Sequence, residues 1–226
     1  MKLGVYSDVH GDVEALRVAH RLAEGLGCSV HVCCGDLVDK AQPADEITAF
    51  VMEKRLSCVR GNHERWLLAA VRDGRYRYPL PRTTKVFLET TPASLIQDLD
   101  GIRVAVHHAR PGSDMDGLFE DDLSVADVRG LLAEAECDVL LVGHTHQAFA
   151  VSHPGGGLVG NPGALGGPPF VQVGSVALIS STGESRVLAR PESAAGTFGV
   201  LELPECRFQV CDLTGRTLPT NTLGAT

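Results

Sequence analysis

The sequence predicts a layered α/β domain, on three observations. In the first third, short apolar runs alternate with stretches whose apolar residues recur at helical spacing. Beyond residue 146, strand-length apolar runs dominate, separated by Gly, Pro and Ser turns. Polar clusters rich in Asp, Asn and His directly follow the apolar runs, and in an open α/β layer structure the carboxyl ends of strands form the site.

Residues 3–6 are a short apolar strand. Residues 13–26 carry Val13, Leu16, Ala19, Ala23 and Leu26 at helical spacing until Gly27 ends the helix. Residues 30–34 are a second strand, residues 43–54 a helix with Ile47, Phe50 and Val51 on one face, residues 57–59 a third strand, and residues 64–71 the start of a third helix. The stretch 72–92 breaks the pattern: Arg72, Arg75, Arg77, Arg82 and Lys85 are interleaved with Tyr76, Tyr78, Pro79 and Pro81, and it reads as a small irregular surface insertion. Residues 94–97 and 102–106 form a hairpin around Asp100-Gly101. Residues 125–135 are helical with Ser124 as N-cap, and residues 139–142 are a buried strand. Further strands are expected at 148–152, 158–160, 176–180, 187–189, 198–203 and 208–211, with loops at 155–157 and 166–169.

The chain has 226 residues and is 44% hydrophobic, enough for one sizeable core, so a single domain over 1–226 is expected. A formal charge of -8 and a pI near 5.5 give no global basic field, so neither stable nucleic-acid binding nor a membrane surface is expected. No apolar run approaches the roughly 20 residues a membrane span needs. The apolar stretch at the start is too short for a signal peptide. The seven cysteines are an odd number without a Cys-x-x-Cys pair, which reads as reduced core thiols in a cytoplasmic protein.

The clusters are Asp8-Val9-His10, Gly35-Asp36-Leu37-Val38-Asp39, Gly61-Asn62-His63-Glu64, His107-His108 and Gly143-His144-Thr145-His146. A carboxylate at a buried strand end is costly unless it is paired or binds metal. Asp8 also reads as a cap for the helix at Val13, Asp39 as a turn carboxylate pairing with Lys40 or an Arg, and Gly61-Asn62-His63 as a simple turn. If the chain stays extended, His10 points to the side of Asp8, and His144 and His146 point to one side. For the same reason at most one of His107 and His108 is a ligand. Together the clusters bring carboxylates, imidazoles and one amide to five strand ends, a donor set that suits a pair of divalent ions such as Mn, Fe, Zn or Ni. His20, His31 and His153 fall outside the clusters and read as ordinary surface or core residues. Arg75, Tyr76 and Arg77 follow the third cluster and its helix, so they are candidate substrate-binding residues, with a solvated loop as the plain reading.

With all five clusters in view, the chain resembles the calcineurin-like metallophosphoesterase superfamily over residues 1 to about 165, and its small bacterial branch in Asn161-Pro162-Gly163. The resemblance implies a four-layer αββα sandwich of two mixed β-sheets flanked by helices. It implies Asp8, His10, Asp36 and His146 on one metal ion and Asp36, Asn62, His107 and His144 on the other, with Asp36 bridging. His63 would be the acid or phosphate stabiliser. The implied activity is a hydrolase acting on phosphate mono- or diesters, nucleotides and dinucleoside polyphosphates included, by attack of a metal-bridging hydroxide. Manganese is the first expectation, with Fe, Zn, Ni or Mg as alternatives. Other readings are a Ser/Thr protein phosphatase, weakened because Lys40-Ala41 follows Asp39 where those enzymes have Arg-Gly, and a non-catalytic scaffold, weakened because every ligand position is filled. His108 stands where the family usually has Gly after the lone histidine, and residues near 166–196 are extra material.

Overall fold

Side-chain alternation along the strands sorts the apolar residues into three stacked cores. The computed structural model describes residues 1–166 and 196–218. One six-stranded sheet has the order β11-β10-β9-β1-β2-β3, built from β1 (Lys2–Tyr6), β2 (Val30–Cys33), β3 (Ser57–Cys58), β9 (Thr197–Glu202), β10 (Arg207–Asp212) and β11 (Thr217–Leu218). A five-stranded sheet has the order β4-β5-β6-β8-β7, from β4 (Ser94–Leu99), β5 (Ile102–His107), β6 (Val139–Leu141), β7 (Phe149–Ser152) and β8 (Leu158–Asn161). Both are mixed: β1, β2 and β3 run parallel, as do β5, β6 and β8, while the outer pairs are antiparallel.

Leu3, Val5, Val32, Val104, Val106, Val139, Leu141 and Leu201 fill the space between the sheets. Tyr6, Cys33, Phe198 and Val200, one residue out of phase, face helices α1 (Val13–Gly25), α2 (Asp45–Lys54) and α3 (Asn62–Arg72). Ala105, Leu140, Val142, Phe149, Val151 and Val159 face α5 (Val125–Glu134). Because side chains alternate across a strand, each strand feeds two cores, and two sheets flanked by helices follow. Asp12 caps α1 by accepting from the Ala15 amide at 2.9 Å, so that role does not fall to Asp8. Ser124 caps α5 as the sequence predicts.

Two readings are corrected. The stretch 72–92 is not irregular throughout: α4 (Arg82–Thr90) starts after Pro81 and buries Thr84 and Leu88 against α2 and α3. A buried stripe this short gives too few turns to show a period. α3 begins at Asn62, so Asn62 and His63 lie in its first turn rather than in a loop before it. The strands expected at 176–180 and 187–189, and all of the loop 166–169 except Gly166, lie outside the described residues. No described helix is long and apolar enough to cross a membrane. All seven cysteines are free thiols.

Beneath α1 the Tyr6 hydroxyl lies 2.8 Å from His31 Nδ1 and 3.5 Å from His20 Nδ1, and the two imidazoles pack at 4.3 Å. Burial, with His20 alongside, pushes His31 down to about 4, and burial also lowers His20. Glu24 and Lys54 are the charged groups facing His20. The unfolded chain therefore binds more protons below the ordinary histidine value of 6.5, and stability is lost as pH falls. Acidifying from about pH 7 to about pH 5 is expected to lower Tm more in the wild type than in His31→Gln, by roughly 2–4 °C for each ~1 kcal/mol of linkage. Equal slopes in thermal melts of the two would refute this.

Candidate metal centre

Six parallel strands deliver the site. β1 leads to Asp8 and His10, β2 to Asp36 and Asp39, and β3 to Asn62 and His63. β5 leads to His108, β6 to His144 and His146, and β8 ends in Asn161. The carboxyl ends of the parallel strands of both sheets thus meet at one seam. The loops are laced together there: Val9 and His10 amides donate to the Asp36 carbonyl at 2.8 and 3.0 Å, and Gly143 N donates to the His108 carbonyl at 2.8 Å.

The chain is not extended at these residues. Asp8, His10, Asp36, His144 and His146 have φ between 49° and 68°, five of the nine non-glycine residues in the left-handed region among those described. Each such residue costs of order 1 kcal/mol, and such strain clusters at functional sites. Gly61 and Gly143 are required by close approach. A Cβ on Gly143 would collide with Ser7 Oγ and Asp8, and one on Gly61 with Asp36 Oδ1. Gly143→Ala is therefore expected to lose bound metal and activity together, with a Tm drop of roughly 5 °C if overpacking costs about 2 kcal/mol. Metal analysis and a melt measure this, and full metal content would contradict it.

Three groups of donor atoms converge within 4.8 Å: Asp8, His10 and His146; His10, Asp36 and His63; Asp36, His108 and His144. His10 Nε2 and His146 Nε2 face each other at 3.0 Å, and Asp8 Oδ1 lies 3.2 Å from the latter. Asp8 Oδ1 is fully buried and accepts no hydrogen bond. A buried carboxylate oxygen without a donor, with two imidazole nitrogens aimed at it, fits a cation among them. Burial opposes the Asp8 charge, yet His146, His108 and Ser7 hold its pKa below the usual carboxylate range. Ser7 Oγ and the His144 amide both donate to Oδ2, at 2.5 and 2.9 Å.

Asp36 stands between the two end groups. Its Oδ1 accepts the His63 amide at 2.8 Å, and its Oδ2 lies 3.3 Å from His108 Nε2. Burial works against its charge, and His108 holds the pKa down. His108 Nδ1 lies 2.8 Å from the Cys34 carbonyl and Nε2 lies 2.9 Å from Asn62 Oδ1. Burial opposes a charge on that ring too, but Asp36, Asp8 and the Cys34 carbonyl push it up to about 10. A proton there occupies the place a cation would take, and the Cys34 carbonyl fixes the tautomer whose Nε2 can bind one.

The structure corrects His107. It brings His108, not His107, beside Asp36 and Asn62. The two side chains do face opposite ways, but His107 still pairs with Ser94 as the last residue of β5. It therefore lies in phase with Ala105, on the face packed against α5, where burial lowers its pKa and Glu134 is its acidic neighbour. His108 continues the phase of Val104 and Val106, which leads to the seam between the sheets. Arg75 and Tyr76 are also engaged elsewhere. Arg75 pairs with Asp73 at 2.6 Å, the Tyr76 hydroxyl donates to the Gln42 carbonyl at 2.9 Å, and Arg77 is exposed. The other expected residues, Asp8, His10, Asp36, Asn62, His63, His144 and His146, lie together at the seam.

Three further residues shape the centre. Asp39 Oδ2 lies 3.4 Å from His63 Nδ1, and the His63 ring packs edge-on against His10 at 4.5 Å. Glu64 is fully buried and accepts the amides of Asp36, Val38 and Gly61 at 3.0, 3.1 and 2.7 Å, tying the β2 and β3 loops to α3. Burial and Asp36 raise its pKa to about 7. Asn161 Nδ2 donates to the Gly143 carbonyl at 2.9 Å and to Thr145 Oγ1 at 3.1 Å, propping the turn that carries both histidines. Glu64 was visible as a Glu three residues after a helix cap, and Asn161 in the Asn161-Pro162-Gly163 segment of the family resemblance, without a role assigned to it.

Two mixed sheets whose parallel strands bring Asp, Asn and His to one seam define a metal-binding α/β sandwich. The chain belongs to the calcineurin-like phosphoesterase superfamily, whose domain model matches residues 1–184. Members of that family bind divalent metals, which the grouped side chains here fit. The uncharacterized protein MJ0912 of Methanocaldococcus jannaschii is 25% identical over 193 residues, 74% of this chain and 76% of that protein. The fold is shared with hypothetical protein PH1004 from Pyrococcus horikoshii, at a TM-score of 0.71 and 15% identity over 93% of this chain and 87% of that one. It is also shared with a metallophosphoesterase from Sphaerobacter thermophilus, at a TM-score of 0.67 and 18% identity over 98% and 90%.

Proposed function

We propose that this chain is a phosphoesterase that hydrolyses phosphate mono- or diesters with two divalent metal ions. The observation that carries the reading is Asp36, whose carboxylate belongs to two of the three donor groups and so can serve both ions. Asp8, His10, Asp36 and His146 would hold one ion, and Asp36, Asn62, His108 and His144 the other. When bound, such ions hold phosphate oxygens and make a water acidic enough to be the nucleophile.

The chain's own residues supply the rest. His63 is the more solvent-open imidazole, at 20% exposure against 8% for His146 and 1% for His108. Asp39 orients it through Nδ1, leaving Nε2 to give a proton to the departing oxygen. Buried Asp8 and Asp36 repel an anionic substrate unless cations neutralise them, which makes activity metal-dependent.

Turnover of p-nitrophenyl phosphate and bis-p-nitrophenyl phosphate with added Mn, alongside metal analysis, tests the reading. Two ions per chain and metal-dependent turnover are expected, and fewer than one ion with no turnover across Mn, Fe, Zn, Ni and Mg would sink it. His63→Ala is expected to keep its metal but lose ~100- to 10,000-fold in kcat. The loss should shrink for good leaving groups, and Asp39→Asn should show a weaker version of the same profile. Equal losses across leaving groups would instead assign His63 to charge stabilisation.

A further inference from the structure

We propose that Lys40 and Trp66 form the leaving-group subsite of this centre, suited to a leaving group with both an aromatic ring and anionic oxygens, that is, a nucleoside phosphate. The proposal rests on the phosphoesterase reading above and names its substrate class.

Trp66, the sole tryptophan, lies one helical turn beyond His63 on α3, so the two share a face. Their ring centroids are 4.9 Å apart. The proton donor for the leaving group thus has an aromatic surface directly beside it. Lys40 follows Asp39, the residue that orients His63, and its Nζ stands 5.6 Å from the Trp66 ring centroid. An ammonium and an indole accordingly meet on the leaving-group side.

Charge separates Lys40 from its neighbours. Arg65 is held by Asp114, Arg110 by Asp116 and Arg75 by Asp73. Among the described residues Lys40 has no carboxylate partner. The two residues that follow it, by contrast, are anchored. Asp39 Oδ1 accepts the Ala41 amide at 2.7 Å, the Tyr78 hydroxyl donates to the Ala41 carbonyl at 2.6 Å, and the Tyr76 hydroxyl donates to the Gln42 carbonyl at 2.9 Å. Gln42 Nε2 donates in turn to the His10 carbonyl at 3.2 Å, which ties this loop to the centre. The tyrosines of residues 72–92 therefore act by holding the segment that presents Lys40.

The reaction follows. Water oxygen bonds to the terminal phosphorus of a nucleoside diphosphate, and the bond from that phosphorus to the bridging oxygen breaks. The electron pair stays on the bridging oxygen, which takes a proton from His63, and a proton released by the attacking water restores that imidazole. Inorganic phosphate and the nucleoside monophosphate leave. The base stacks on Trp66, and the Lys40 ammonium moves from the indole to the phosphate oxygens of the leaving nucleotide.

Three probes separate the contributions: pyrophosphate has only the charge, phenyl phosphate only the ring, and adenosine diphosphate both. In kcat/KM, Lys40→Met is expected to lower the ratio of adenosine diphosphate to phenyl phosphate by about tenfold, and Trp66→Leu the ratio of adenosine diphosphate to pyrophosphate by a similar factor. Adenosine diphosphate should also quench the single tryptophan saturably, with a weaker apparent Kd in Lys40→Met. Unchanged ratios, or no saturable quenching, overturn the subsite. A wild type that hydrolyses phenyl phosphate but shows no quenching loses the subsite and keeps the phosphoesterase reading. A wild type inert on all three probes that still shows Lys40-dependent quenching loses the catalytic reading and keeps the subsite.

Discussion

Asp36→Asn is expected to lower kcat/KM by more than ~100-fold, beyond the loss usual for groups that only support a metal ligand, and to leave less than one tightly bound ion per chain. The carboxylate is 2% exposed, is shared by two donor groups, and also accepts the His63 amide. An amide in its place removes the negative charge and can turn an N–H donor toward the cation. The metal-free variant should melt close to the metal-free wild type, because removing one of two mutually repelling buried carboxylates offsets the weakened pairing with His108. Metal analysis that finds two tightly held ions in an active Asp36→Asn protein would remove Asp36 from the bridging position.

His108→Ala is expected to lose one of two ions and at least ~100-fold in kcat/KM, while His107→Ala keeps both ions. The contrast is direct, since the residues are adjacent and chemically identical. His108 is 1% exposed and lies within reach of Asp36 and Asn62, whereas His107 packs toward α5. A modest stability loss in His107→Ala, of about 1 kcal/mol from lost packing, should appear in a melt without a change in metal content. Loss of metal from His107→Ala, with His108→Ala intact, would mean that the phase of β5 is reversed.

Much of the fold was legible because strands and helices announce themselves by period. The alternation of Leu3 and Val5 with Tyr6, and of Val104 and Val106 with Ala105, already encodes a strand buried on both faces. The helix α4 was hidden because it buries little more than Thr84 and Leu88, too sparse a stripe to outweigh the flanking prolines and arginines. The site clusters were legible because Asp and His at the ends of buried runs are costly without a charge partner. The reason given for their common direction was wrong, however. Asp8, His10, His144 and His146 are left-handed turn residues, not members of extended strands, and they converge through those turns.

The sequence by itself determined the layered class, the positions of most strands, and the Asp, Asn and His residues available to hold metal, since each follows from local periodicity and from the cost of burying charge. It also determined that His107 and His108 point opposite ways. Only the tertiary structure decided which of them faces the site, because that depends on which side of β5 meets the other sheet. The residues that share this core with Val104 and Val106, Leu3 and Val5 of β1 among them, lie about a hundred residues away in the chain. The same holds for Glu64 gripping two loops, Asn161 propping the His144 turn, and Tyr76 and Tyr78 holding the Lys40 segment: each is a contact between elements that no period in one segment can encode.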